Sequence, residues 1–183
     1  RGGSLRVPGK NLVSVGDKPL LVWTIEAARD TSHLGRIVVS TNDDAIAKLA
    51  VRSGAEVVRR PEEISGPKAR SESALLHTLD HLSETEGYVP DIIVFLQATS
   101  PLREPGAIDA AVRQFILDGA DSLFFATPTT GFIWQVDAAA ISPLTFDPGD
   151  RPRSQEQGAR YLLENGSIYV FKTSILRGTG CRL

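Results

Sequence analysis

The sequence predicts an α/β fold, a mostly parallel sheet with helices on both faces. Three observations predict it. Short β-branched runs alternate with segments of helical spacing, in the order α-β-α-β-α-β-α-β as far as residue 126. The clearest run, Asp91-Ile92-Ile93-Val94-Phe95-Leu96-Gln97, is apolar almost throughout instead of alternating, as a strand covered on both faces is. Glycines and acidic residues stand where helices would stop and start.

The chain opens on Arg1-Gly2-Gly3-Ser4-Leu5-Arg6-Val7-Pro8-Gly9-Lys10-Asn11. Gly2 and Gly3 permit backbone at φ > 0, and successive N–H groups in such a loop can form an anion-binding nest. Arg1, Arg6 and Lys10 place cations around it. This is how a loop would hold a polyphosphate. It is not a Walker A loop, because five residues separate Gly3 from Gly9 and Asn11 follows Lys10. Composition alone leaves a solvated basic arm equally open.

After a turn at Gly16-Asp17, residues 18–29 predict a helix, with Leu20, Leu21, Trp23, Thr24 and Ala27-Ala28 in helix-compatible positions. Residues 36–41 are a buried strand. Asn42 and Asp43 can cap a helix over 43–53 that Gly54 stops. Residues 55–59 form the next strand, ended by Arg60-Pro61, and 62–70 is a polar loop. Ser71 or Ser73 opens a helix with Leu75, Leu79 and Leu82 on one face, ending near Glu86-Gly87. The strand 91–97 follows, then a turn over 101–105, a helix over 106–117 and a strand over 121–126. Residues 128–158 mix Gly, Pro, Asp and Arg with isolated aromatics such as Phe132 and Trp134. That stretch is too irregular for another βα unit, and 128–165 reads as a projecting arm for dimer contact. Residues 167–171 return as a strand, and Thr173-Ser174 starts a last turn.

The 183 residues suffice for one domain with a sizeable core. A net charge of −2 argues against a general nucleic-acid binder. The single cysteine, Cys181, permits no internal disulfide and fits a cytoplasmic setting. No apolar run is long enough for a transmembrane helix, and the start has no signal-peptide pattern. Arg1 is not Met, no strand precedes the loop, and the end at Leu183 closes no element. The expectation is a single domain over 1–183, cut at both ends.

In an open α/β sheet, ligands bind beyond the carboxyl ends of the strands. Ser40-Thr41 closes one strand and Arg60 another, while Gln97 with Thr99, Ser100 and Arg103 closes the third. Thr41-Asn42-Asp43 reads as a helix cap. Gln97 ends an apolar strand, where a buried amide needs partners. A later cluster holds Arg151, Arg153, Gln155, Arg160, Tyr161, Glu164 and Asn165; arginine forks bind carboxylates, although a plain charged loop explains the segment as well. His77 and His81 stand four apart, as metal ligands can, but no Glu, Cys or third His completes a site. His33 carries no signal. No nucleophile elbow or Cys–His pairing points to covalent catalysis.

Three motifs stand in order: Arg1-Gly2-Gly3-Ser4 with Pro8-Gly9-Lys10-Asn11, then Phe95-Leu96-Gln97-Ala98-Thr99-Ser100-Pro101-Leu102-Arg103, then Glu164-Asn165-Gly166-Ser167-Ile168-Tyr169. Together with Lys18-Pro19-Leu20, Val38-Val39-Ser40-Thr41 and Arg60-Pro61, they resemble the acylneuraminate cytidylyltransferases, the synthetases of CMP-sialic and CMP-nonulosonic acids. The resemblance covers nearly the whole chain. It implies a Rossmann-like nucleotide-diphospho-sugar transferase fold, a homodimer, and CTP and Mg²⁺ as substrate and cofactor. It implies attack of the sugar's anomeric hydroxyl on the α-phosphate of CTP with release of pyrophosphate, with Arg1 and Lys10 as the catalytic cations. It places Arg1, Gly2, Gly3, Ser4, Arg6, Lys10, Asn11, Arg60 and Ser73 at the nucleotide, Arg60 helping to read cytosine. Gln97, Ser100, Arg103, Arg151, Arg153, Gln155, Tyr161 and Asn165 fall to the sugar acid, the arm arginines reaching the partner subunit's substrate. Relatives commonly carry Lys where Leu5 stands and an Asp near Pro67. The family's Mg²⁺ carboxylates lie in an Asp-x-Asp element beyond the strand that ends at Phe171, so the metal ligands are expected outside the 183 residues. The alternatives are a cytidylyltransferase for 3-deoxy-manno-octulosonate and a non-catalytic nucleotide- or sugar-binding homologue.

Overall fold

The computed structural model describes residues 7–129, 131–153, 155–156 and 161–183. Gly9, at φ 62°, turns the chain into a one-turn 3-10 helix, Lys10–Leu12. β1 (Ser14–Val15) and β2 (Lys18–Pro19) then pair antiparallel, and α1 (Leu20–Arg29) follows at once. The helix expected from residue 18 therefore starts at Leu20. A residue that precedes proline is pushed to extended backbone, so Lys18 pairs with Val15 instead of coiling.

The next elements are β3 (Val38–Thr41), α2 (Asp44–Arg52), β4 (Glu56–Arg59), α3 (Ser71–Glu86), β5 (Ile92–Leu96) and α4 (Ala107–Asp118). β6 (Ser122–Thr129), β7 (Trp134–Val136), β8 (Ile141–Pro143), β9 (Tyr161–Lys172) and α5 (Thr173–Thr179) complete the order. They fall into two compact units, one made of the chain up to Phe124 with Gly166–Leu183, the other Phe125–Asn165.

In the first unit β3 and β4 are parallel, Val38 opposite Glu56 and Thr41 opposite Arg59, joined through α2. The Asp43 carboxylate caps that helix by accepting from the Ala45 and Ile46 N–H groups at 2.8 and 2.9 Å. Leu21 and Ile25 of α1 pack on Ile46 and Ala50 of α2, and Leu12 and Ala98 reach the same cluster. The strand order β5-β9-β6 makes β9 the central strand of its sheet. It runs antiparallel to β5, Leu96 opposite Ile168 and Ile92 opposite Lys172. Central position on a sheet explains why Ile168, Tyr169, Val170 and Phe171 are all buried without alternation. Leu79 of α3 and Leu176 of α5 cover Tyr169 and Phe171.

Several expectations change in extent. The strand expected at 167–171 spans Tyr161–Lys172, and the last turn is the helix α5, with Leu176 fully buried. The loop 62–70 contains a 3-10 turn, Glu62–Ile64. His33, which carries no sequence signal, meets Asp109 at the start of α4 at 2.6 Å.

The second unit contains the antiparallel pair β7–β8, Gln135 opposite Ser142. Three-residue strands lie below the length at which alternation is visible in a sequence, so this segment looked irregular. Phe146 stacks edge-on against Phe132 and Trp134, centroids 4.8 and 5.1 Å apart. Trp134, Val136, Ile141, Leu162 and Leu163 remain exposed in this unit. Among the described residues no helix is long and apolar enough to cross a membrane.

Asp109 accepts from the Thr31 hydroxyl, the His33 ring and the Ser32 N–H, and these bonds, Thr31 first, lower its carboxyl to about 2. A depressed carboxyl contributes stability that is present above its ordinary value of 3.8 and is lost as pH falls through about 2. Asp109→Asn is therefore expected to flatten the acid limb of the stability curve between about pH 4 and pH 2. Chemical denaturation across that window checks it; an unchanged acid limb contradicts it.

Candidate active site

The carboxyl ends of β3 and β5 and the start of the buried half of β9 lie in the first unit. After β5 the chain turns tightly, Ser100 N–H donating to Gln97 O at 3.2 Å and Arg103 N–H to Pro101 O at 3.1 Å. The turn sends the Arg103 side chain back under its own strand. Its Nη2 donates to Gln97 O at 2.7 Å and to Ser167 O at 2.9 Å, its Nε also reaches Ser167 O at 3.2 Å, and its Nη1 meets Thr24 Oγ1 at 3.0 Å. One guanidinium thus ties the end of β5, β9 and α1. Burial lowers its pKa to about 10, so it stays charged at neutral pH. All these partners are neutral oxygens, which satisfy the donors and leave the positive charge to act on an anion nearby.

Arg60 folds over the end of β3. Its Nε donates to Ser40 Oγ at 3.1 Å and its Nη2 to Ser40 O at 2.7 Å, while its own N–H reaches Thr41 O at 3.0 Å. Ser73 sits in the first turn of α3, its hydroxyl donating to Arg70 O at 3.0 Å. That turn is pinned by Glu72, which is buried and ion-paired with Arg182. The Arg182 guanidinium lies 4.4 Å from the Tyr169 ring centroid and 5.6 Å from that of Phe95.

Lys10 and Asn11 lie in the opening 3-10 turn, which Leu12 anchors on the α1–α2 cluster. The Asn11 Oδ1 atom is buried, and no donor reaches it among the described residues. A buried acceptor without a donor costs roughly 1–3 kcal/mol. A ligand hydroxyl or amine there would remove the cost. Arg1, Gly2, Gly3, Ser4 and Arg6 lie outside the described residues.

The remaining predicted positions belong to the second unit. Arg151 stacks 4.0 Å from the Phe132 centroid, and its guanidinium is 5.5 Å from that of Phe146. Arg153 and Glu156 close a turn, Glu156 N–H donating to Arg153 O at 2.8 Å, and Gln155 is exposed within it. The Tyr161 hydroxyl lies 3.4 Å from Thr145 O. Asn165 is exposed on β9.

Sequence reasoning missed Thr24, Glu72, Arg182 and Gly166. The first three act through contacts between segments far apart in the chain, which leave no local pattern. Gly166 did carry a signal, since an Asn-Gly pair marks backbone at positive φ.

Among the described residues no three Asp, Glu, His or Cys side chains gather around one point, so these residues do not fit a metal cage.

Residues 1–132 match the family model described as Cytidylyltransferase. The chain belongs to the cytidylyltransferase family. It is 35% identical over 183 residues to the N-acylneuraminate cytidylyltransferase of Oncorhynchus mykiss, covering 97% of this chain and 41% of that protein. It is 29% identical over 172 residues to the pseudaminic acid cytidylyltransferase of Campylobacter jejuni, covering 93% of this chain and 64% of that protein. The chain thus spans well under two thirds of the first of these relatives. A solved CMP:2-keto-3-deoxy-manno-octonic acid synthetase complexed with CTP superposes with a TM-score of 0.68 at 21% identity, covering 98% of this chain and 73% of that one. At that identity the likeness establishes the nucleotidyltransferase fold. The α/β fold read from the sequence is the one found; of the mostly parallel sheet expected, β3 and β4 are parallel while β9 runs against β5.

Arg103→Leu removes the guanidinium donors from the Gln97 and Ser167 carbonyls and is expected to cost on the order of 3 kcal/mol in denaturant unfolding. A cost below about 1 kcal/mol contradicts the clamp.

Proposed function

We propose that the full-length protein transfers CMP from CTP to the anomeric hydroxyl of N-acetylneuraminate or a related nonulosonic acid, releasing pyrophosphate. What carries the reading is the pair of relatives, named for N-acylneuraminate and for pseudaminic acid, whose likeness runs over nearly the whole of this cytidylyltransferase-family chain.

The chemistry asks for no enzyme nucleophile. The sugar oxygen attacks the α-phosphorus, and the bond to the bridging oxygen of pyrophosphate breaks. Catalysis then rests on positioning and on stabilising phosphate charge. Arg1 and Lys10 supply that charge, and Gly2, Gly3, Ser4 and Arg6 shape the loop around the phosphates. Asn11 offers its buried Oδ1, which no donor reaches among the described residues, to a nucleotide donor. Arg60 and Ser73 frame the base. Gln97 and Ser100 contact the sugar, and Arg103, held inside by neutral partners, contributes a positive field toward its carboxylate. From the arm, Arg151, Arg153 and Gln155 reach the partner subunit's sugar acid, with Tyr161 and Asn165 as further sugar contacts. Mg²⁺ is the proposed companion of the triphosphate. Such an ion keeps several waters and rides largely on substrate phosphates; no residue here is assigned to it. The compartment proposed is the cytoplasm.

A homodimer is also proposed, with the exposed apolar side chains of residues 125–165 as its contact. Sedimentation of the full-length protein is expected to give a dimer that Val136→Asp with Ile141→Asp dissociates. A wild-type monomer sinks this part of the proposal.

The deciding assay is pyrophosphate release by the full-length protein with CTP, Mg²⁺ and, separately, N-acetylneuraminate, legionaminate, pseudaminate and 3-deoxy-manno-octulosonate. CTP-dependent release with one nonulosonate is expected, absent with ATP, GTP or UTP. Lys10→Met is expected to lower kcat about 100-fold. Release with the octulosonate alone, or none while CTP still binds, overturns the reading.

A further inference from the structure

Gln97 and Gly166 approach each other more closely than any side chain at position 166 would allow. Gly166 has φ +72°, in the left-handed region. A Cβ placed on it would fall 2.8 Å from Gln97 Oε1 and 3.3 Å from Gln97 Cδ. The Gln97 carboxamide therefore lies directly across the bare α-carbon of residue 166. The backbone on either side is fixed by one group, since Arg103 grips both Gln97 O and Ser167 O. Fixed backbones and an absent Cβ leave the carboxamide resting on Gly166. Its amide and carbonyl make no hydrogen bond among the described residues, so both stay available to a ligand.

We infer that Gly166 is a positioning residue, and that its missing side chain sets where the Gln97 carboxamide presents its donor and acceptor to the sugar acid. The inference rests on the reading of Gln97 as a sugar contact. A carboxamide offers a donor and an acceptor on one rigid plane, so its placement decides which hydroxyl or acylamino group it can read. Arg103 fixes the backbones, and Gly166 fixes the side chain.

The test separates contact from backbone strain. Gly119 has φ +60° and nothing within 4 Å of a Cβ placed on it, so Gly119→Ala carries the strain alone. In full-length enzyme, Gly166→Ala is expected to raise KM for the sugar acid about 10-fold or more. KM for CTP should stay within about twofold, as in Gly119→Ala. In a Gln97→Ala background, adding Gly166→Ala should change the sugar KM by no more than about twofold, because the group it displaces is gone. Equal effects in both backgrounds, or equal rises in the two KM values, overturn the inference.

If Gly166→Ala does not fold, recovery of folding in the double variant with Gln97→Ala supports the contact, and continued failure overturns it. If the wild type turns over no sugar, the functional reading fails separately. The contact is then read from the Gln97 side-chain amide signals by NMR. They should move in Gly166→Ala and stay in Gly119→Ala; unmoved signals in Gly166→Ala sink the inference.

Discussion

The guanidinium of Arg103 is the constraint on which the end of the sheet depends. The β5–β9 ladder ends at the pair Leu96–Ile168. Arg103 continues the hold past that end, with Gln97 O, Ser167 O and Thr24 Oγ1 all within 3.2 Å of its nitrogens. The cost is a buried charge, visible in a pKa lowered to about 10. Neutral acceptors offset that cost without cancelling the charge, and an uncancelled charge is useful only where anions arrive. Stability and the proposed chemistry therefore share one side chain.

The other contacts follow the same logic of distant segments held by polar groups at the carboxyl ends of strands. Arg60 closes over Ser40, and Arg182 lies on Tyr169 while pairing with Glu72. Each joins segments that the apolar clusters beneath do not fix in detail. Burial of Leu21, Ile25, Tyr169 and Phe171 holds the layers together, but it is non-directional. The directional bonds fix the Gln97 backbone and hold the Ser73 hydroxyl in the first turn of α3.

Much of this was legible in the sequence. The apolar run ending at Gln97, the cap at Asp43 and the stop at Gly54 gave β5, α2 and the end of that helix to within a residue or two. The helix start at Leu20 is not legible from hydrophobic period, because the pairing of Lys18 with Val15 depends on Pro19. The β7–β8 pair was invisible because three residues are too few to show alternation. Arg60, Gln97 and Arg103 could be singled out in the sequence because they come after strands. Glu72 and Arg182 could not, because residues 110 apart become neighbours only through the fold. At Gly166 the Asn-Gly pair marks the positive φ, but the contact with Gln97 turns on an atom the residue lacks, which no residue pattern shows.

The proposed CMP transfer is one displacement at the α-phosphorus, with no covalent enzyme intermediate. The stereochemical course measures this directly. With a single diastereomer of CTP carrying sulfur on the α-phosphate, the full-length enzyme should form a CMP-sugar with inverted configuration at that phosphorus. Net retention would mean two displacements through a nucleotidylated residue, and would contradict the account.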